Sequence, residues 1–348
     1  MRARMLISRE QNRFRDVDGT KVSLGQFQTL KPTWLTTHVL AFIRSKHPAL
    51  IFDPFAGHGS LLRAARTALH VEGRGMDIDT STGWPANDSL RCIPRLPGAV
   101  IVTNPPYLAK HSARRKGVHD VVAEHFRCRP DLYQLALDRC QEACPHVVAI
   151  VPETIINSSY PKTCFESITI VEDNPFGDTD CPVCVVCIDD ASASSRSGPL
   201  VFLGERPLGR LSDLEKKRLV PRNSIRIDFN VRSGRIALRA VDSMDPRKPM
   251  RFMRREESSY PAERISASSR LVTFIEIPSL KEGEIDRAIC TANAALASFR
   301  ADTADVLLSP FKGNSNVGRR RRRLDYRTAR AILETACGPD GLGLPLFD

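Results

Sequence analysis

The chain has 348 residues, 51 Lys and Arg against 40 Asp and Glu, ten Cys and 42% hydrophobic residues. That length predicts two domains rather than one small core, and the ordinary apolar fraction excludes wholesale disorder. No run approaches the roughly 20 apolar residues of a membrane span, and the first residues lack the apolar centre of a secretory signal. The expectation is a cytoplasmic protein whose cysteines are reduced thiols rather than a disulfide framework.

The net charge of +11 is uneven. Residues 1–200 carry 23 basic and 21 acidic side chains, whereas residues 201–348 carry 28 and 19. A basic second half predicts contact with a polyanion; a solvated basic surface would have the same composition.

In chain order, Ala49 to Asp53 is a short apolar run ending in an acid, followed by Pro-Phe-Ala-Gly-His-Gly-Ser. It predicts a buried strand, a glycine turn, and a helix from Ser60 through Leu61, Leu62, Ala65 and Leu69. Val71 to Asp77 predicts a second strand, and Ala99 to Thr103 a third that runs into Asn104-Pro105-Pro106-Tyr107. Asp131 can cap a helix with Leu132, Leu135, Ala136, Cys140 and Ala143 inward. His146–Val151 and Val183–Ile188 read as further strands. Strands alternating with helices predict an α/β fold, a doubly wound and mostly parallel sheet.

The small, polar segment 191–199 reads as a linker. Beyond it Ile225 to Val231 and Arg235 to Arg239 alternate apolar and basic residues around Ser233-Gly234, which predicts a hairpin with one basic face. Leu271–Ile277 reads as a strand, and Ile285, Ala288, Ile289, Ala292, Leu296 and Phe299 mark an amphipathic helix.

The glycine turn lets a ligand approach the backbone at the sheet's carboxyl edge, and Asp77, closing the next strand, stands where an acid accepts from ribose hydroxyls. The turn lacks the third glycine of a dinucleotide fingerprint. Asp53, directly before it, suits an ammonium group better than a pyrophosphate. S-adenosyl-L-methionine therefore fits better than NAD. In Asn104–Tyr107 two prolines fix an extended backbone and give up two N–H donors. If the Asn104 side-chain oxygen and the Pro105 carbonyl accept both N–H bonds of an adenine N6, the nitrogen is drawn towards tetrahedral geometry. Its lone pair then points at a sulfonium methyl. Tyr107 offers a face for a planar base. Each residue singly has a structural reading, as a tight turn or a proline loop; the set is harder to read that way.

Asp53–Ser60, Gly75-Met-Asp77 and Asn104–Tyr107 resemble the ordered motifs of S-adenosylmethionine-dependent DNA adenine-N6 methyltransferases. Gly25 to Leu30 resembles that family's N-terminal cofactor motif, which gives the gamma-class order, as in type II modification methylases. Asp131-Leu-Tyr133, Val151-Pro-Glu-Thr and Asn174-Pro-Phe176 resemble later motifs. The resemblance covers about residues 21–190. It implies a Rossmann-like methyltransferase sheet with a C-terminal α+β recognition domain. The expected division is an arm over 1–20, a catalytic domain over 21–190, the linker, and a DNA-binding domain over 200–348. It also implies cofactor contacts from Thr29, Asp53, Phe55, Ala56, Gly57, Asp77, Ile78 and Asp88. Methyl transfer would fall to Asn104, Pro105, Pro106 and Tyr107, with Phe176 as a second aromatic wall. Because N6 lies inside a paired duplex, the adenine must be extruded at a cost of a few kcal/mol. Stacking worth about 1–3 kcal/mol per contact is the right size to offset that.

Lys110, Arg114, Arg115 and Lys116 follow the Asn104 loop and are expected at phosphates. So are Arg232, Arg235 and the run Arg319, Arg320, Arg321, Arg322 and Arg323, which also fits a nuclear signal or an exposed loop. Cys181, Cys184 and Cys187 have a tempting spacing, but alternation on a strand turns Cys184 away from the others and no fourth ligand follows. No metal is expected. The expected partner is double-stranded DNA, met as a monomer, in a restriction-modification setting with a separately encoded endonuclease or as a bacterial, phage or mobile-element enzyme without one. The rival readings are methylation of RNA adenine or of a protein glutamine, since Asn-Pro-Pro-Tyr also occurs in such enzymes. A non-catalytic DNA-binding protein on the same scaffold is a third.

Overall fold

A computed structural model describes residues 24–190 and 198–338, in two units that divide between Arg210 and Leu211. The expected N-terminal arm and residues 191–197 of the expected linker lie outside the described residues. In chain order the first unit comprises α1 (Thr37–Ser45), β1 (Leu50–Asp53), α2 (Ser60–Leu69), β2 (Gly73–Gly75), β3 (Ala99–Thr103), α3 (Lys110–Arg115), α4 (His119–Val122) and α5 (Leu132–Ala143). Then follow β4 (His146–Pro152), β5 (Phe165–Ile170), β6 (Val183–Asp189), β7 (Leu200–Leu203) and β8 (Arg206–Arg210).

These strands form one sheet in the order β2-β1-β3-β4-β6-β5-β7-β8. β2, β1, β3 and β4 are parallel, and β6 inserts antiparallel between β4 and β5. β1 and β3 are buried along their whole length, as strands covered on both faces must be. Ile51, Val100, Val102, Val148 and Ile150 share one core with Val39, Phe42 and Ile43 of α1 and Leu61, Leu62 and Ala65 of α2. Phe52, Ile101, Val147 and Ala149, one residue out of phase, point to the opposite face and are equally buried. This is a doubly wound, Rossmann-like α/β sheet.

Segment 191–199 joins two strands of this same sheet: β7 pairs in parallel with β5, and β8 returns against β7. The first unit therefore continues past the expected linker. A Ser-rich composition marks a connection, and it is silent on whether the strand beyond returns to the same sheet. Asp131 has extended dihedrals at the N-cap of α5, yet its side chain makes no capping bond. Cys184 and Cys187 are buried within β6.

The second unit contains α6 (Leu211–Glu215), β9 (Asp228–Phe229), β10 (Ile236–Arg239), β11 (Arg251–Arg254), β12 (Val272–Glu276), α7 (Ile285–Thr303), β13 (Ser309–Asn314), β14 (Arg320–Arg323) and α8 (Tyr326–Cys337). Its four-stranded sheet has the order β11-β10-β12-β9. The expected hairpin does not form: β9 and β10 each pair with β12, which lies between them. Alternation marks each strand as half-buried without naming its neighbour, so a third strand could take the central place. Ile236, Leu238 and Ile275 pack with Ala288, Ala292 and Leu296 of α7 and Ile332 and Leu333 of α8. Among the described residues no helix is long and apolar enough to cross a membrane.

Candidate active site

β1, β2 and β3 end side by side, with Asp53 opposite Gly75 and the chain leaving β3 at Thr103. The loops beyond these three ends surround a cavity of about 320 Å³, within the range of small-molecule pockets and at the edge where such sheets bind ligands. Seven residues of the expected cofactor set line it: Thr29, Phe55, Ala56, Gly57, Asp77, Ile78 and Asp88. Asn104 and Pro106 line the same cavity.

Gly57 has φ +49°, and a Cβ there would meet nothing within 4 Å, so the backbone conformation and not crowding favours glycine. Its N–H donates to Asp77 Oδ2 at 2.7 Å, while the Asp79 N–H donates to Asp77 Oδ1 at 2.8 Å. Each oxygen keeps further acceptor capacity for a hydroxyl. Ile78 is 59% exposed beside this carboxylate, an apolar surface for a planar group. Asp88 Oδ1 accepts the Leu90 N–H at 3.1 Å, and Asp88 Oδ2 is paired with Arg91 at 3.2 Å and His125 at 3.7 Å. An acid with acceptor capacity to spare, an apolar surface and a turn open to the cavity fit a nucleoside-type group such as S-adenosylmethionine.

Asp53 is not in the cavity wall. It is fully buried; its Oδ1 accepts from the Thr103 hydroxyl at 2.7 Å and the Phe55 N–H at 3.0 Å, and Oδ2 has no hydrogen-bond partner. The expected ammonium contact is thus replaced by an anchor beneath the turn, because the last position of a strand covered on both faces points its side chain into protein. Burial raises the Asp53 carboxyl from 3.8 to about 7, against the hydrogen bonds from Thr103 and Phe55. A raised carboxyl favours folding fully below its unfolded value, and that contribution is lost as pH rises through about 7. Asp53→Asn, neutral at every pH, is therefore expected to gain stability relative to the wild type between pH 5 and pH 8, by on the order of a few kcal/mol. Melting temperatures of both proteins across that interval check this; a pH-independent difference would refute it.

Asn104 is held on both sides of its carboxamide. Nδ2 donates to the Phe27 carbonyl at 2.8 Å and to Thr29 Oγ1 at 3.3 Å. Oδ1 lies 2.5 Å from the Tyr107 hydroxyl, whose single proton is shared with the Ile150 carbonyl at 2.8 Å. Tyr107 also donates its N–H to the Gly25 carbonyl at 2.7 Å. A Cβ on Gly25 would come within 2.3 Å of the Tyr107 carbonyl oxygen, so only glycine fits that approach. The rings of Phe27, Tyr107 and Phe176 form a triangle with centroid separations of 5.7, 6.0 and 6.2 Å. These are contact distances for aromatic pairs. Tyr107 and Phe176, expected as stacking faces, thus already touch each other and Phe27 at tilted or edge-on angles. Neither ring, nor Pro105, lines the cavity. The bridge between Thr29 and Phe176, and bonds from the Leu30 and Lys31 N–H groups to the Pro175 carbonyl, dock the N-terminal motif onto this cluster.

Three features escape the sequence reading. Trp84 Nε1 donates to the Gly57 carbonyl at 3.0 Å and braces the turn. Glu124 and His125 supply a wall from the segment after α4. A tryptophan inside the polar stretch Thr80–Asn87 was the only local signal for the first; the other two carry none.

Among the expected phosphate contacts, Arg114, Arg115 and Lys116 are exposed and Lys110 half-buried, on and just after α3. The second unit differs from expectation. Arg235 is committed to Glu276, at 2.5 and 3.0 Å, with Glu282 at 3.6 Å. Arg232 Nε donates to the Ile265 carbonyl at 3.2 Å. Arg320–Arg323 form β14 rather than an exposed loop. Arg322 is 1% exposed, and burial presses the Arg320 and Arg322 guanidiniums below their ordinary range. Arg321 donates to the Asp242 and Lys312 carbonyls at 2.7 and 3.0 Å and lies over the Phe311 ring. Only Arg319 of the five is exposed. Strand alternation buries part of any charged run that a sheet incorporates.

No family model matches the chain, and no curated protein does. Among solved structures, 56% of it is similar to the modification subunit of a proposed type I restriction enzyme from Vibrio vulnificus YJ016, with 18% identity, a TM-score of 0.36 and 49% of that chain covered. TrmN from Thermus thermophilus aligns with 43% of this chain and 47% of its own, at 18% identity and a TM-score of 0.29. A proposed RNA methyltransferase from Pyrococcus horikoshii aligns with 48% of this chain and 89% of its own, at 16% identity and a TM-score of 0.31. The chain thus spans about half the length of the first two of these structures.

Proposed function

We propose that this protein is a DNA methyltransferase that transfers a methyl group from S-adenosyl-L-methionine to adenine N6 in duplex DNA. One observation carries the reading: Asn104, at the end of β3, borders the same cavity as the Gly57 turn and Asp77. The bound cofactor would supply an electrophilic sulfonium methyl. Asp77 and Ile78 would hold its nucleoside part, with Thr29 and the Phe55–Gly57 turn alongside.

The chain's own task is to make a weakly nucleophilic amine react. Asn104 Oδ1 would accept one N–H bond and the Pro105 carbonyl, once turned from its place outside the cavity wall, the other, withdrawing the nitrogen lone pair from the ring. With the cofactor bound, the N–C bond would form as the methyl–sulfur bond broke, leaving S-adenosylhomocysteine, and the extra N6 proton would pass to water. For Asn104 Oδ1 to accept from the target base, the Tyr107 hydroxyl must release it. The exposed cations Arg114, Arg115 and Lys116 are suited to the flanking phosphates. A restriction-modification role, with a separately encoded nuclease, belongs to the same proposal.

Labelled methyl transfer to unmethylated duplex DNA, RNA and protein, with sequencing to map methyladenine, tests the reading. Label in DNA as N6-methyladenine is expected; label in RNA or protein alone would overturn it.

A further inference from the structure

The second unit carries an aromatic–arginine column that the motifs do not include. The Phe229 and Tyr326 rings stack with centroids 4.6 Å apart and 13° between planes. The Arg330 guanidinium lies 5.6 Å from the Phe229 centroid, and the Arg270 guanidinium 5.4 Å from that of Tyr326. Arg330, one helical turn beyond Tyr326 on α8, also donates to the Ile227 carbonyl at 2.6 Å. The Tyr326 hydroxyl lies 3.1 Å from Asn230 Oδ1 and donates to the Ser269 carbonyl. The column is thus fixed at both ends by backbone.

Beside it opens a cavity of about 430 Å³, lined by Pro221, Asn223, Phe229, Tyr326, Arg327 and Arg330, with no carboxylate in its wall. The nearest acids in sequence have other partners. Asp228 pairs with Arg226 at 2.8 Å, Asp325 accepts from the Thr328 N–H and hydroxyl at 2.9 Å each, and Glu334 accepts the Arg222 N–H at 2.6 Å. Among the described residues neither Arg327 nor Arg330 has an ion pair, whereas Arg226, Arg235, Arg247, Arg251, Arg254 and Arg300 are all paired with carboxylates. A guanidinium stacked on a ring keeps its N–H edge for a planar or tetrahedral oxyanion.

We infer that Arg327 and Arg330, with Asn223, form a phosphodiester-binding site for the backbone of the substrate DNA. This rests on the proposed function for the identity of the polyanion. It moves the expected contact of the second unit from the Arg319–Arg323 run to the mouth of this cavity. A backbone site carries no base preference of its own.

The test is binding of the full chain to a fluorescent DNA duplex over a salt series, by anisotropy, with wild type, Arg327→Ala, Arg327→Lys and Arg330→Ala. Arg327 is exposed, so its variants report on binding without a packing loss. Arg327→Ala is expected to weaken binding about tenfold at low salt and to reduce the slope of log K against log salt by about 1, equally on duplexes of unrelated sequence. Arg327→Lys should keep most of the slope. Unchanged affinity and slope in Arg327→Ala and Arg330→Ala would overturn the site, as would a wild type whose binding ignores salt. Methylation of the same duplex by the wild type is measured in parallel. A reduced slope without methylation leaves the site standing and removes the proposed function. Methylation with an unchanged slope removes the site alone.

Discussion

Asn104→Ala is expected to lower methyl transfer to duplex DNA by about 10²–10³-fold, the usual loss when one preorganised hydrogen-bonding group at a reacting centre is removed. The Asn104 carboxamide is oriented before any substrate arrives, because Nδ2 is already spent on the Phe27 carbonyl and the Thr29 hydroxyl. Only Oδ1 then remains to polarise an amine, and the Tyr107 hydroxyl that occupies it is a neutral donor that a substrate N–H can replace. Alanine removes the acceptor and leaves the Phe27 carbonyl and Thr29 unpartnered on that side. The loss should fall on kcat, since the contact matters most as the nitrogen pyramidalises. Single-turnover transfer with cofactor affinity measured separately distinguishes this from a damaged pocket. An Asn104→Ala enzyme of undiminished rate would remove this residue from the reaction.

The largest stability effect is expected at Asp242. The Arg300 guanidinium binds it in a bidentate pair at 2.9 Å on both oxygens and reaches Asp305 at 2.8 and 2.9 Å with its remaining edge. The N–H groups of Met250 and Arg322 donate to the same Asp242 carboxylate at 3.1 and 3.0 Å. Burial works against the charge on both partners. The two carboxylates nevertheless hold Arg300 above its ordinary range, and Arg300 holds Asp242 below its own. Asp242→Ala leaves a half-buried guanidinium short of a partner and two backbone donors unmet. A loss of about 3–5 kcal/mol follows from breaking such a pair by one side. Urea unfolding followed by circular dichroism measures it, and a loss below about 1 kcal/mol would mean the network is solvated. Arg322, packed into the same region, contributes to this unit's interior rather than to an exposed clamp.

Much of the first unit was legible in the sequence. The runs ending at Asp53 and Thr103 are continuous and apolar because parallel strands covered on both faces have no solvent side to alternate with. The Gly57 turn and Asp77 were readable for a local reason: a positive φ needs glycine, and Asp77, two residues past β2 because the expected Val71–Asp77 strand spans only Gly73–Gly75, comes back to accept the Gly57 N–H. What the sequence determined by itself was therefore the sheet's central strands, the turn, and the order of Asp77 and Asn104 along one edge.

The tertiary structure decided what those local signals leave open. Asp53 looked like a ligand group until burial took it from the cavity wall. Tyr107 and Phe176 looked like open platforms, yet they pack against each other and against Phe27 from a distant segment. The basic half looked like one surface until Arg235 found Glu276, 41 residues away, and Arg322 went inside. An arginine's role depends on which carboxylates and which side of a strand it meets. Those are long-range pairings that composition and periodicity do not encode.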